Sequence, residues 1–159
     1  MQKISFLIRF LLFIFILAGV LSPMSCNKDP NNGYYEIPYV YVYYTINLTL
    51  PKYSELNLPG GHFYLNEEGY KGIIVYHAID DTYKAFERAC TYRPQDDCSK
   101  ITMDESGIYM RCGEYDNSDF VECCGSDFDM SGFVMNPPAL YPLKQYQVSV
   151  QGDALTITN

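Results

Sequence analysis

The sequence has 159 residues, a length that accommodates one domain of ordinary size and leaves little room for a second. It contains 11 basic and 19 acidic side chains, so its formal charge is −8. Because nucleic acids and anionic lipid headgroups repel an acidic surface, this charge argues against both as partners.

The N-terminal segment has the pattern of a secretory signal. Lys3 and Arg9 precede the apolar run at residues 10–20, and no acidic residue occurs before Asp29. The pattern predicts a signal peptide over residues 1–25, with a retained membrane anchor as the alternative. Cleavage would remove the two positive charges and no negative one, and would lower the formal charge from −8 to −10.

The signal ends in Ser-Pro-Met-Ser-Cys at residues 22–26, which resembles the lipobox of bacterial lipoproteins. Pro23 departs from the family pattern, which usually has Leu three places before the cysteine. The resemblance implies lipid attachment at Cys26, and an incidental cysteine after a plain signal is the alternative. Residues 26–36 are polar and rich in turn-forming residues, which predicts a flexible tether.

These features predict an outer-membrane lipoprotein of the bacterial cell envelope that faces the periplasm or the cell surface. Its first partner would be the membrane, through the lipid on Cys26, and an envelope protein is a further expected partner.

Residues 38–50 alternate strictly between two kinds of side chain, which predicts one long strand. The aliphatic face should be buried, and the opposite face carries tyrosine, threonine and asparagine. A partner surface is one interpretation of the tyrosines, but their ordinary preference for sheets is the favoured one.

After residue 51, turn-forming residues recur at short spacing and separate short runs of β-forming residues. The runs are at residues 72–77, 83–89, 101–103, 108–112, 120–123, 146–150 and 155–158. This rhythm predicts a single all-β domain over residues 37–159, built as a sandwich or barrel. No segment carries a helical period.

Two segments resemble the ligand loops of Rieske iron–sulphur domains. Residues 85–92, Ala-Phe-Glu-Arg-Ala-Cys-Thr-Tyr, are similar to the first loop, where a strand delivers Cys-x-His. Residues 121–128, Val-Glu-Cys-Cys-Gly-Ser-Asp-Phe, are similar to the second loop, Cys-x-x-His-Gly-Ser-x-Phe. Residues 138–148 resemble the closing Pro-Ala turn and strands. The resemblance covers residues 59–159 and implies a small Rieske-like antiparallel β-sandwich or barrel with two loops at the former cluster site.

The ligand set of that family is degenerate in this chain. A Rieske centre uses two thiolates and two imidazoles, one of each from each loop. The alignment places Cys90 and Val121 at the thiolate positions and Tyr92 and Cys124 at the histidine positions, while the two histidines of the chain precede both loops. The resemblance therefore implies no metal, no cofactor and no enzyme activity, but a structural or binding role. The alternatives are a [2Fe-2S] electron-transfer protein with a cysteine-rich ligand set, and a redox-active cysteine pair.

The remaining cysteines are disulfide candidates, because an exported domain matures where thiols oxidise. Two bridges would leave one cysteine unpaired. The resemblance favours a Cys90–Cys124 bridge, since both residues would face the vacated cluster site. Cys98 would then pair with Cys112 across a predicted hairpin, or with Cys123, as the extra cysteines of respiratory Rieske proteins pair between loops.

Overall fold

The structure is a computed structural model that describes residues 36–159. The predicted signal peptide, Cys26 and all but the last residue of the predicted tether lie outside the described residues, and these three assignments stay predictions. Within residues 36–159, no helix has the length and apolar composition needed to cross a membrane.

The described chain is almost entirely β-structure, which confirms the predicted all-β class. The strands in chain order are β1 (Tyr43–Asn47), β2 (His62–Leu65), β3 (Ile73–His77), β4 (Tyr83–Glu87), β5 (Ile101–Met103), β6 (Tyr109–Asp116), β7 (Asp119–Asp129), β8 (Val134–Asn136), β9 (Gln145–Gln151) and β10 (Ala154–Thr158). A 3-10 helix, Pro51–Asn57, follows β1. One sheet has the order β1-β10-β9-β4-β3-β2 and the other β5-β6-β7-β8, and every strand pair is antiparallel.

Strand β3 is buried on both faces and separates two hydrophobic clusters. Because successive side chains of a strand point to opposite sides, Ile73 and Val75 join one cluster and Ile74 and Tyr76 join the other. The first cluster packs the larger sheet against the 3-10 helix. The second cluster combines residues of both sheets and includes cysteines. The cysteine sulphurs therefore belong to the hydrophobic interior.

For the predicted strand at residues 38–50, the buried and exposed faces are correct, but the strand in the structure is shorter. Only Tyr43–Asn47 pairs, because β10 offers five partners, from Thr158 to Ala154. The aliphatic side is buried at Val42, Ile46 and Leu48, whereas Leu50 is exposed where the chain turns into the 3-10 helix. Sequence patterns also missed the short strands β2 and β8 and that helix.

The long hairpin of β6 and β7 positions the second ligand loop. Its tip is the two-residue turn between Asp116 and Asp119, where Asn117 has a positive φ of 56°. The ladder then breaks, because Arg111 pairs with Asp127 while Gly113 pairs with Glu122. One residue of β6 thus stands opposite four residues of β7, and those four, residues 123–126, are the centre of the second loop.

Candidate functional site: three thiols and a disulfide at the two loops

The first loop leaves β4 beside a buried carboxylate. Glu87 is fully buried and accepts hydrogen bonds from the backbone N–H groups of Tyr70 (2.8 Å), Lys71 (2.9 Å) and Ala89 (3.1 Å). The hydroxyl of Tyr146 donates a fourth bond, 2.7 Å long. Burial, followed by this bond to Glu87, raises the pKa of Tyr146. A buried carboxylate needs such a complete set of donors, and the set fixes the chain just before Cys90.

Gly113 allows the close approach that creates the bulge in the hairpin. Its φ is 150°, and an added Cβ would lie 2.3 Å from the backbone carbonyl oxygen of Val121. A side chain at this position would therefore push β6 and β7 apart. The neighbouring residue, Cys112, is the single β6 residue that faces the four-residue bulge.

Three cysteine sulphurs meet where the first loop, the bulge and β6 come together. The sulphurs of Cys90, Cys112 and Cys124 all lie within 4.8 Å of one another, and those of Cys90 and Cys124 are 3.7 Å apart. All three are free cysteines. Cys90 and Cys112 are fully buried and Cys124 is half-buried, so the group is reached from solvent on the Cys124 side. We call these residues the thiol cluster.

Hydrogen bonds within the thiol cluster concentrate negative charge on Cys124. Interaction with the thiols of Cys112 and Cys90 lowers the pKa of Cys124, an effect greater than the opposing one of burial. The reverse holds for Cys112, whose pKa is raised by its bonds to Cys124 and Cys90 and by burial. For Cys90, the bond with Cys112 lowers the pKa, but the bond with Cys124 and burial outweigh it. One thiolate shared by two thiols is the arrangement these directions describe.

Backbone and hydroxyl groups also surround the sulphurs. The backbone N–H of Tyr92 hydrogen-bonds to Cys90, and that of Ser126 hydrogen-bonds to Cys124. The fully buried hydroxyl of Ser126 lies 3.4 Å from the sulphur of Cys124 and accepts a bond from the backbone N–H of Ala139. The two backbone N–H donors favour the thiolate form of the sulphur that each contacts.

The structure contains a disulfide between Cys98 and Cys123. This is the second of the two pairings considered for Cys98, the one that resembles respiratory Rieske proteins. The favoured Cys90–Cys124 bridge is not formed, and Cys112 is not bonded to Cys98. The pairing of Cys98 with Cys123 follows from strand geometry: adjacent side chains of β7 point in opposite directions, so Cys123 turns toward Cys98 while Cys124 turns toward Cys90 and Cys112.

The positions that align with Rieske ligands do not fit a Rieske cluster. Val121 pairs with Glu114 in the hairpin and is 56% exposed, and its side chain has no donor atom. Tyr92 packs against the second hydrophobic cluster, and its ring lies under the guanidinium of Arg93. Since each loop lacks its imidazole and the second loop lacks its thiolate, the two-thiolate, two-imidazole set cannot be assembled from these four positions.

Neither histidine supplies the missing ligands. His77 is buried, stacks on Tyr83 and places Nε2 2.9 Å from Asp81. His62 lies edge-on to Tyr64, and burial lowers its pKa. In the described part of the chain, the group of convergent metal-binding side chains at the loops consists of cysteines alone.

Comparison with known proteins gives similar solved structures but no family model and no curated protein. The cyanobacterial plasma membrane Rieske protein PetC3 from Synechocystis PCC 6803 is 19% identical, with a TM-score of 0.43 over 55% of this chain and 77% of that chain. A chain from the complex of reduced oxygenase and oxidized ferredoxin in carbazole 1,9a-dioxygenase is 21% identical, with a TM-score of 0.43 over 64% and 91%. The ferredoxin of carbazole 1,9a-dioxygenase from Nocardioides aromaticivorans IC177 is 16% identical, with a TM-score of 0.40 over 64% and 86%.

Proposed function

We propose that this chain is a Rieske-like β domain that works without a [2Fe-2S] cluster, as a non-enzymatic structural or binding protein. The proposal rests on which residues occupy the positions that align with the Rieske ligands. Both loops are present, yet they offer Tyr92 and the exposed Val121 where a Rieske centre needs an imidazole and a thiolate.

The disulfide is compatible with this role because it ties the region of the two loops together by itself. A cluster ties the two loops together, and the Cys98–Cys123 bridge joins the segment after the first loop to the second loop covalently. In the chain-entropy treatment, a bridge over a sequence separation of 25 stabilises the fold by about 3.5 kcal/mol. The loops can therefore stay closed without iron.

A binding role is favoured by apolar side chains on the surface after the second loop. Phe133, Met135 and Leu140 are each about 60% exposed. Their backbone is tied to the second loop, since the side chain of Asn136 donates to the carbonyl of Gly125. Exposed apolar residues on β8 and on the segments beside it offer a surface to another molecule.

We further propose that a lipid on Cys26 holds the domain at the bacterial cell envelope, on the outer membrane, facing the periplasm or the cell surface. The support is the signal pattern and the lipobox resemblance. The expected partners are the membrane itself and an envelope protein. Mass spectrometry of the Cys26 peptide from membrane-extracted protein would test this, with the unlipidated variant Cys26→Ser as the control.

Electron transfer through a cysteine-rich iron–sulphur cluster is the second candidate, because three free thiols converge at the loops. An all-cysteine cluster takes four thiolates. The deciding experiment is an iron and acid-labile sulphide assay with a visible spectrum, on the full chain as purified and after anaerobic reconstitution. We expect neither iron nor sulphide in stoichiometric amount. Stoichiometric iron and sulphide with charge-transfer bands would establish the second candidate and refute the first.

A further inference from the structure

We propose that the thiol cluster, Cys90, Cys112 and Cys124, is a binding site for one soft metal ion, Cu(I), held by three thiolates. This inference rests on the proposed function, since it takes the loops to be free of an iron–sulphur cluster. It names the ligand of the same site.

The spacing of the sulphurs fits one ion. Three sulphurs placed about 2.3 Å from a single ion in one plane lie about 4.0 Å apart. The sulphurs of Cys90 and Cys124 are 3.7 Å apart, and no pair in the cluster exceeds 4.8 Å. Small side-chain rotations would close the remaining difference. A two-iron cluster, in contrast, distributes its protein ligands over two separate metal atoms.

The chemistry of the donor set selects the ion. Thiolates favour Cu(I), Zn(II) and iron–sulphur clusters, whereas imidazole and carboxylate suit other metals. Within residues 36–159, neither a histidine nor a carboxylate joins the three sulphurs. Structural zinc sites take four protein ligands, one more than this cluster provides, whereas the soft ion Cu(I) is stable with three thiolates. A trigonal set of thiolates therefore matches Cu(I).

The surroundings favour a charged metal–thiolate group. Backbone N–H groups of Tyr92 and Ser126 point at two of the sulphurs, as donors around metal-bound thiolates do. The half-buried Cys124 provides the route for the ion, and the two buried cysteines exclude water behind it.

The Cys98–Cys123 disulfide makes the site specific. It removes two of the five described cysteines from metal binding and leaves three free thiols at the bulge. The chain therefore also provides an internal control, because Cys98 and Cys123 can be replaced without touching the three proposed ligands.

The test is a Cu(I) titration of the full chain in detergent, without oxygen, against the chromogenic chelator bathocuproine disulfonate. We expect one Cu(I) per chain. We expect Cu(I) binding to be weakened at least about 100-fold by each of the variants Cys90→Ser, Cys112→Ser and Cys124→Ser. Loss of a residue that only hydrogen-bonds to a metal ligand already lowers metal affinity 10- to 100-fold. The double variant Cys98→Ala/Cys123→Ala should still bind one Cu(I). Copper X-ray absorption should show three sulphur neighbours.

Several outcomes would refute the copper site. They are no binding, binding that survives Cys112→Ser, two sulphur neighbours instead of three, or a persistent Cys90–Cys124 disulfide in the isolated protein. If a serine variant does not fold, the X-ray absorption of the unmodified chain still tests the site, because it counts the sulphur atoms bound to copper. Acid-labile sulphide is measured in the same sample. No copper and no sulphide would refute this inference alone, whereas iron with sulphide would refute the proposed function.

Discussion

Cys123 and Cys124 are adjacent on β7, but one is in a disulfide and the other is a free thiol. Cys123 is in a disulfide with the exposed Cys98, whereas its neighbour Cys124 faces two buried thiols. A strand places consecutive side chains on opposite sides, so one step along β7 separates a covalent staple from a group of free sulphurs. Cys123 therefore takes part in the covalent link at the loops, whereas Cys124 belongs to the thiol cluster.

The largest expected effect comes from the residue that creates the bulge between these two sides. Gly113→Ala should lower the free energy of unfolding by at least about 3 kcal/mol, because it combines a positive φ with a Cβ 2.3 Å from a backbone oxygen. Urea unfolding of the full chain measures this. Gly107→Ala is the matched control, since that glycine also has a positive φ, 69°, but open space around it, and should cost about 1 kcal/mol. Equal effects at both glycines would show that the bulge is not under this constraint.

Removal of the staple should have the next largest effect. Cys98→Ala/Cys123→Ala should lower the free energy of unfolding by about 3.5 kcal/mol, the chain-entropy value for a loop of this length. The reducing agent dithiothreitol should destabilise the unmodified chain equally and leave the double variant unchanged. A double variant as stable as the unmodified chain would show that the bridge does not hold the loops.

Substitutions in the thiol cluster should lower the free energy of unfolding by less, and the loss should be larger for the more deeply buried cysteine. Cys112→Ser places a hydroxyl in a fully buried position and should cost about 2 kcal/mol in the metal-free chain. Cys124→Ser should cost below about 1 kcal/mol, because its side chain is half-buried beside the Ser126 hydroxyl. Urea unfolding again measures both. The reverse order would contradict the placement of Cys112 in the interior.

The smallest effect is kinetic and concerns pH. Because the thiols of Cys112 and Cys90 lower the pKa of Cys124, its thiolate should persist as the pH falls from 8 to 6. The rate of its reaction with iodoacetamide should fall less than about threefold, whereas an ordinary cysteine, with a pKa near 8.5, would slow about 75-fold. Cys112→Ala removes the thiol that lowers the pKa of Cys124 most, so the alkylation rate should then depend more steeply on pH. An ordinary pH profile in the metal-free chain would refute the shared thiolate.

The sequence predicted the strands and loops better than it predicted the arrangement at the site. Alternation, turn-forming residues and the two loop motifs are local signals, and they were sufficient for the all-β fold and for strands β3 to β5. The role of Cys112 has no local signal, since it depends on the register between β6 and β7 and on the bulge in which four residues of β7 stand opposite this one residue of β6. Its place opposite the bulge emerges only when the hairpin is formed.

The choice between bridges shows the same limit. Five cysteines close together in sequence allow several pairings, and the resemblance to a ligand set favoured Cys90–Cys124. In the structure, Cys123 and Cys124 point in opposite directions, so Cys123 meets Cys98 of the segment after the first loop and Cys124 meets Cys90 of the first loop. The opposite orientation was predictable from an extended backbone, whereas the distance from Cys98 to each was not.

The measurement that tests this account most directly is disulfide mapping of the full chain by mass spectrometry, with free thiols alkylated under denaturing conditions before any reduction. The account predicts one cross-linked peptide pair, Cys98 with Cys123, and alkyl groups on Cys90, Cys112 and Cys124. A cross-link between Cys90 and Cys124, or between Cys98 and Cys112, would contradict the separation of staple and thiol cluster on which the proposals rest.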